Sequence, residues 1–354
     1  MTDADSVTKT VISKLDYQGS RIDIKADWAV TVLVDILNSY ACSPASAHLI
    51  AEHLVDSDLC GVESHGVMRV LQYADQFDSN YMDPLGSAVI GDEDGVFVKV
   101  DGQSGHGIPT MKLAFEIGCK LARKAGISVT SIVNVGHTGR HGAFADSAAE
   151  NGFMSILIGG GNRNIWRQVA PYGGIDAKLP TNPYCIGFPG DDHGPFVLDF
   201  ATSLIAGGWI YAAQSAGAAL PQGCVIDRHG HPTIWPKDYF NGGAILPAAG
   251  QKGYALALAA ELIAEALLGP VQTECNWLLL TIDTSRMQSA AGLQARASEI
   301  LDDIRDCRPA PGFDQVEIPG QRERRIRAEA KGIVSIPQST WQAILMLRDR
   351  RAQL

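Results

Sequence analysis

Residues 127–158 read ISVTSIVNVGHTGRHGAFADSAAENGFMSILI, and this stretch decides the fold class. Residues 127–133 read as a strand, 142–151 as a helix and 153–158 as a second strand. On the N-terminal side, residues 96–100 make a short β-branched strand, 101–107 a glycine-rich loop and 109–125 a helix. On the other side, residues 184–188 and 196–200 add two strands separated by a Gly/Asp/His turn. Repeated strand–helix alternation implies an α/β layer with at least partly parallel strands, because parallel neighbours need a crossover, usually a helix.

Further out the pattern is helical. Residues 24–40, 43–57 and 64–77 read as helices, so the first 80 residues look all-helical. The second of these opens on Ser43-Pro44, a serine cap followed by proline at the first helical position. After Ala201 the chain returns to helix, anchored by residues 254–268. A strand at 277–282, a helix at 293–305, a loop around 309–320 and two terminal helices complete the reading. The expected division is an α/β domain over residues 93–204 and a mainly helical domain built from both chain ends, residues 1–92 and 205–354. No period of 20 to 50 residues recurs that would indicate a repeat protein.

Composition narrows the function classes. The 354 residues are 46% hydrophobic and 19% charged, as in a globular protein. A net charge of −10 argues against nucleic acid or an anionic membrane as partner. The longest apolar stretch, residues 254–268, carries Glu261 and Glu265 and so reads as a buried amphipathic helix, not a membrane span. Residues 1–23 are polar and lack the apolar core of a secretory signal. Seven scattered cysteines without a C-x-x-C imply reduced thiols in a cytoplasmic protein, not a disulfide framework or zinc site.

The chemistry centres on Gly61-Val62-Glu63-Ser64-His65-Gly66-Val67-Met68-Arg69. His65 and Arg69 stand four apart at an apparent helix start, so both should project from one face. An imidazole exchanges a proton near neutral pH, and a guanidinium clamps a carboxylate through two parallel hydrogen bonds. Together they make half of an active site for a small acid; the bland alternative is a surface pair at helical spacing. Ser64 is counted with the site, although adjacent helical residues do not face each other and would not form a nucleophile–base pair.

Other features read as structural. His48 and His53 fit helix packing, His106 a structural place in its glycine loop, and His193, His229 and His231 solvated turns. Gly159-Gly160-Gly161 follows a strand, but Asn164 stands where a dinucleotide fingerprint needs its third glycine, and no helix opens after it. That run therefore reads as a loop with close backbone approach. His137 and His141 share an i, i+4 spacing, but Gly136, Gly139 and Gly142 argue against a helix there, so no metal is expected.

These residues together resemble the malate/L-lactate dehydrogenase family, which uses a nicotinamide cofactor without a Rossmann fold and has ureidoglycolate, sulfolactate, 2,3-diketogulonate and cyclic-imine 2-carboxylate relatives. The resemblance runs from about Ile24 to the C-terminus. It rests on residues 61–69, Asp101-Gly102, residues 134–139, 169–174, Thr181-Asn182-Pro183 and 198–203. Pro221, residues 227–230, Leu246-Pro247, Lys252-Gly253-Tyr254 and Ile318-Pro319-Gly320 continue it.

The resemblance implies NAD- or NADP-dependent reduction of a small 2-oxo acid, or of a C=N bond beside a carboxylate, by a homodimer. It implies a non-Rossmann nicotinamide-binding α/β domain. His65 matches the proton donor, Arg69 the substrate-carboxylate arginine and His137 a second active-site histidine. The cofactor segment matches Pro195, Phe196, Val197, Leu198, Asp199, Phe200 and Ala201, then Gln251 and Lys252, then Gly320, Gln321 and Arg322. Asn164, Thr181 and Asn182 fall in matching loops. Departures occur at Val135, where many relatives have serine, at Pro180, where glycine is usual, and in the run 136–141 and the loop 159–168. They bear on the substrate more than on the cofactor. Two rival classes are a metal-dependent hydrolase resting on His65, His137 and Asp199, and a non-catalytic relative on the same fold.

Overall fold

The computed structural model describes residues 19–162 and 164–353. Most of the polar segment 1–23 therefore lies outside the described residues. The chain begins with β1 (Arg21–Lys25), α1 (Ala26–Ser39), α2 (Pro44–Leu59) and α3 (Arg69–Asp78). The central block follows as β2 (Val89–Asp94), β3 (Phe97–Asp101), α4 (Gly107–Ala125), β4 (Ile127–Val135), α5 (Gly142–Glu150) and β5 (Phe153–Gly160). A hairpin of β6 (Pro183–Asp191) and β7 (Gly194–Ala201) extends it. Next come α6 (Gly207–Ala216), β8 (Val225–Ile226), β9 (Pro232–Thr233), α7 (Pro236–Phe240), β10 (Ala244–Ile245) and α8 (Gln251–Glu261). The chain ends with β11 (Cys275–Asp283), α9 (Ala290–Arg305), α10 (Gln321–Ala330), β12 (Ile333–Pro337) and α11 (Gln338–Arg351).

Seven strands form the central sheet in the order β2-β3-β4-β11-β5-β6-β7. Only β3 and β4 run parallel, joined by the crossover helix α4; the other neighbours are antiparallel. The fold is α/β with a mixed sheet, and its strand order is not that of a doubly wound dinucleotide domain. The sheet also draws strands from beyond residues 93–204. β2 begins at Val89, and β11 inserts between β4 and β5 at the sheet centre. A second sheet, β10-β8-β9, lies in the later half.

The N-terminal segment is not all helix. β1 pairs antiparallel with β12, from Arg21↔Pro337 to Lys25↔Ile333, so Ile24 lies in a strand and not in the first helix. Ile24, Val334 and Ile336 bury one side of this two-stranded ribbon. Two five-residue strands carry almost no periodic signal, and only their mutual pairing satisfies the backbone of either.

The sheet core explains the glycine run. Gly159 pairs with Trp277 on β11, and a Cβ at Gly159 would sit 2.1 Å from the indole. Close approach is indeed what this glycine serves, but it lies at the end of β5 rather than in a loop. Helix α4 packs on β4 and β11, and its Ile108, Met111, Ala114 and Leu121 are buried, each side chain contributing about 1.5–3 kcal/mol when fully buried, with Ala less. His106 caps α4, its Nδ1 accepting from the Ile108 amide at 3.2 Å.

Candidate active site

The stretch 61–69 is not one helix. Glu63–His65 makes a single 3₁₀ turn, the chain turns at Gly66, and α3 starts at Arg69. The half-buried carboxyl of Asp58 pins that turn, since its Oδ2 accepts the Val67 amide at 2.7 Å. Gly66 leaves room for it, because a Cβ there would lie 2.1 Å from Asp58 Oδ1. Burial raises the Asp58 carboxyl to about 8.

This local geometry corrects the reading of Ser64. Its Oγ lies 3.0 Å from Nδ1 of His65, an approach the tight turn permits and an α-helix would not. The Ser64 carbonyl accepts Nε of Arg69 at 2.6 Å, and Gln72 Oε1 accepts from the same guanidinium. Arg69 is thus oriented by neutral acceptors and forms no ion pair among the described residues.

His137, on the loop after β4, comes beside His65 with ring centroids 5.5 Å apart. Its Nδ1 accepts the Gly139 amide at 3.3 Å and lies 2.8 Å from the Tyr73 hydroxyl. An amide can only donate, so Nδ1 is the acceptor nitrogen and the neutral ring carries its proton on Nε2. Burial first, and then the Arg69 charge, pull His65 down to about 3, and the same causes hold His137 well below the usual imidazole range. His65 is crowded by protein atoms yet keeps partial access to solvent, as a cleft-lining group must. Tyr73 escaped the sequence reading, although it stands four residues beyond Arg69 on α3, a spacing that puts both on one face.

Asp199 of β7 is tied to the same region. Its Oδ2 accepts the Gly142 amide at 2.7 Å, and its Oδ1 lies 3.8 Å from Nδ1 of His141. Burial would raise this carboxyl, but the nearby His141 ring and the Gly142 amide bond together hold it below the usual range. His141 Nε2 meets Thr138 Oγ1 at 2.7 Å. The contacts of His137 and His141 therefore run to Tyr73 and Gly139, and to Thr138 and Asp199, rather than to each other. His53 is a core acceptor, its Nε2 receiving the Arg140 amide at 2.9 Å.

Three of the segments matched to the cofactor are held around β7. The Val197 amide donates to Pro319 O at 3.1 Å, and Gly320, at φ 95°, leaves only 3.2 Å between a Cβ and Val197. Gln321 Oε1 caps the Ile318 amide at 2.9 Å, and Arg322 reaches Gly61 O at 3.3 Å. Gln251 and Lys252 open α8, which rests against Thr202 just beyond β7; the Ala248 amide donates to Thr202 O at 2.8 Å. Thr181 O accepts both the amide and the hydroxyl of Thr202 at 3.0 Å. Buried Asn182 donates to Glu261 Oε1 at 2.5 Å, and the Gly161 amide reaches the same oxygen at 3.0 Å. Pro195, Phe196, Leu198, Phe200 and Ala201 belong to β7 itself. Asn164 is exposed in a turn and makes no side-chain hydrogen bond to the others among the described residues.

The sequence pattern of the malate/L-lactate dehydrogenase family matches residues 24–345. The chain is 30% identical to L-sulfolactate dehydrogenase of Methanocaldococcus jannaschii over 325 residues, covering 88% of this chain and 92% of that one. It is 32% identical to L-lactate dehydrogenase of Cupriavidus necator over 324 residues, covering 87% and 92%. The crystal structure of a dehydrogenase from Sinorhizobium meliloti superposes with a TM-score of 0.84 at 30% identity, covering 94% of this chain and 99% of that one. The match across nearly the whole chain, on the same fold, means that this protein belongs to the malate/L-lactate dehydrogenase family.

Proposed function

We propose that the protein transfers a hydride between NAD or NADP and a small 2-oxo or 2-hydroxy acid. The observation that carries this reading is the Arg69 guanidinium, oriented but not neutralised, beside two uncharged histidines. A substrate carboxylate on Arg69 gains a planar two-point contact. It also offsets the Arg69 charge, which after burial is the next cause depressing both imidazoles, so proton affinity at His65 and His137 rises when the acid binds. A neutral imidazole takes the hydroxyl proton of a 2-hydroxy acid; recharged, it gives the proton back to the oxygen of a 2-oxo acid. His65 is assigned this role, with His137 beside it.

The residues gathered here would suit a dinucleotide: Gly320 lets its loop lie against β7, where a Cβ would meet Val197 and Arg324 at 3.2 Å, and Lys252, exposed and without an ion pair among the described residues, offers a charge for phosphate. The β7 segment, the Gly320 loop and the start of α8 would hold the group, which supplies the hydride when bound. A homodimer in the cytoplasm completes the proposal. Leu256, Leu262 and Leu267 are exposed apolar side chains that self-association would cover, and all seven cysteines are free thiols. No helix among the described residues is long and apolar enough to cross a membrane.

The test is turnover of a panel of 2-oxo acids and cyclic imines with NADH and with NADPH, alongside tryptophan fluorescence titration of each cofactor. Turnover of at least one acid with one cofactor is expected. Absence of both turnover and cofactor binding would remove the proposal.

A further inference from the structure

Glu274 lies in the segment leading into β11. Thr273 before it donates its hydroxyl to Val135 O at 2.8 Å, and Cys275 after it pairs with Val135 across the ladder. The Glu274 amide reaches the same carbonyl at 3.4 Å. Val135 precedes His137 by two residues, so the Glu274 backbone is anchored beside the active-site loop.

Its side chain is unusual. The Oε2 atom is shielded from solvent and has no hydrogen-bond partner, and Glu274 makes no ion pair among the described residues. The residue nevertheless keeps a partly open face. An unpaired carboxylate in such a place is costly, and a native chain seldom retains one without use. Burial raises the carboxyl to about 7, and the Arg69 charge opposes that rise without cancelling it. Its own charge bears on the Tyr73 and Tyr81 phenols, which burial already raises. The Tyr81 hydroxyl accepts the Trp166 indole N–H at 3.0 Å, which brings in the loop 159–168, a departure from the family pattern. Arg69 directs Nε and one terminal nitrogen to Ser64 O and Gln72, not to Glu274. The carboxyl thus feels the Arg69 charge but makes no hydrogen bond or ion pair with it among the described residues.

We propose that Glu274 reads the part of the substrate beyond its carboxylate, taking an N–H or O–H donor and turning away a second anion. The assignment rests on the proposed function, in which Arg69 takes the carboxylate. It names the substrate class as a 2-oxo acid or cyclic imine 2-carboxylate whose remainder carries a donor, a protonated ring nitrogen above all. The second carboxylate of a malate-type acid meets like-charge repulsion from Glu274, with Arg69 already engaged by the first.

The experiment compares the full-length protein with Glu274→Gln and Glu274→Asp, using Δ1-piperideine-2-carboxylate and oxaloacetate as probes with NADH and NADPH. The wild-type kcat/KM ratio, imine over oxaloacetate, should fall at least about tenfold in Glu274→Gln, which removes the charge at constant shape. Glu274→Asp keeps the charge but withdraws it by a methylene, so it should lose imine turnover while still rejecting oxaloacetate. A ratio unchanged within about twofold in Glu274→Gln, with turnover intact, would overturn the assignment. If the wild type turns over neither probe, the dehydrogenase reading is what fails, and binding decides on Glu274. L-pipecolate should then raise the Tm of the wild type more than that of Glu274→Gln, and L-malate the reverse. Equal shifts in both proteins would overturn it.

Discussion

The hydroxyl of Tyr73 lies 2.8 Å from Nδ1 of His137, joining α3 to the loop after β4 across 64 residues of sequence. With the Gly139 amide on the same nitrogen, this contact engages Nδ1 and leaves Nε2 to carry the proton of the neutral ring.

Tyr73→Phe removes the hydroxyl without opening a cavity. The His137 Nδ1 keeps its amide donor, so stability should fall by only about 1 kcal/mol, seen as a small shift in the urea midpoint. Turnover should fall by roughly tenfold with nicotinamide affinity unchanged. In the same assay His65→Ala should lose roughly 10²–10⁴-fold in kcat, the range for a positioned acid or base. If His137→Ala is crippled while His65→Ala is not, the two roles are exchanged.

Arg69→Lys should not rescue the site. A lysine has no planar fork, and it cannot reproduce the donors to Ser64 O and Gln72 that orient the guanidinium. Loss of a buried carboxylate clamp should cost on the order of 2–5 kcal/mol in kcat/KM. Comparing an acid substrate with its amide locates the effect. The wild type should prefer the acid and Arg69→Ala should not; a mutant preference as strong as the wild type's rules the clamp out.

Gly66→Ala tests how the turn is held. Its φ of −87° suits any residue, so the cost is steric and not conformational. The new Cβ meets Asp58 Oδ1 at 2.1 Å, and overpacking of this kind costs about 1–3 kcal/mol. Asp58→Ala in the same chain should recover part of that loss, giving a coupled double-mutant cycle in urea unfolding. Strictly additive losses would show that the carboxyl and the glycine do not share the space.

Stability should fall on acidification from about pH 6.5. His53, His65 and His106 are drawn down to about 3 and His137 is also depressed, with burial the first cause in each. Below the unfolded imidazole value of about 6.5 the unfolded chain binds protons that the folded chain refuses, so unfolding gains as pH drops toward 3. Asp58 and Glu274 act in the opposite sense, since their carboxyls are raised to about 8 and about 7, and burial also raises Asp146. Their contribution is present at low pH and is lost as pH rises from about 4 toward the raised values. Four imidazoles outweigh three carboxyls between pH 4.5 and 6.5, so urea midpoints measured across that window should climb with pH. A flat profile would mean that the histidines titrate normally in the folded state.

Sequence alone determined what local pattern can encode. The strand–helix–strand run of residues 127–158 became β4, α5 and β5, because periodicity and the loss of it at glycines are properties of neighbouring residues. The residue types around His65 and Arg69 were equally visible, and they suggest the proton exchange and carboxylate binding of the proposed function, but not the turn that holds them. What only the tertiary structure decided involves residues far apart in the chain. β11 reached the sheet centre, and β1 found β12, through backbone pairing that no local window contains. The 3₁₀ turn that brings Ser64 onto His65 depends on the Asp58 carboxyl eight residues before Gly66, a contact without periodic trace. Tyr73 and Glu274 gained their meaning only when α3 and the entry to β11 came to flank the Val135–His137 loop. A side chain's residue type states what it can bind, but its desolvation and partners, which set its charge, exist only after folding.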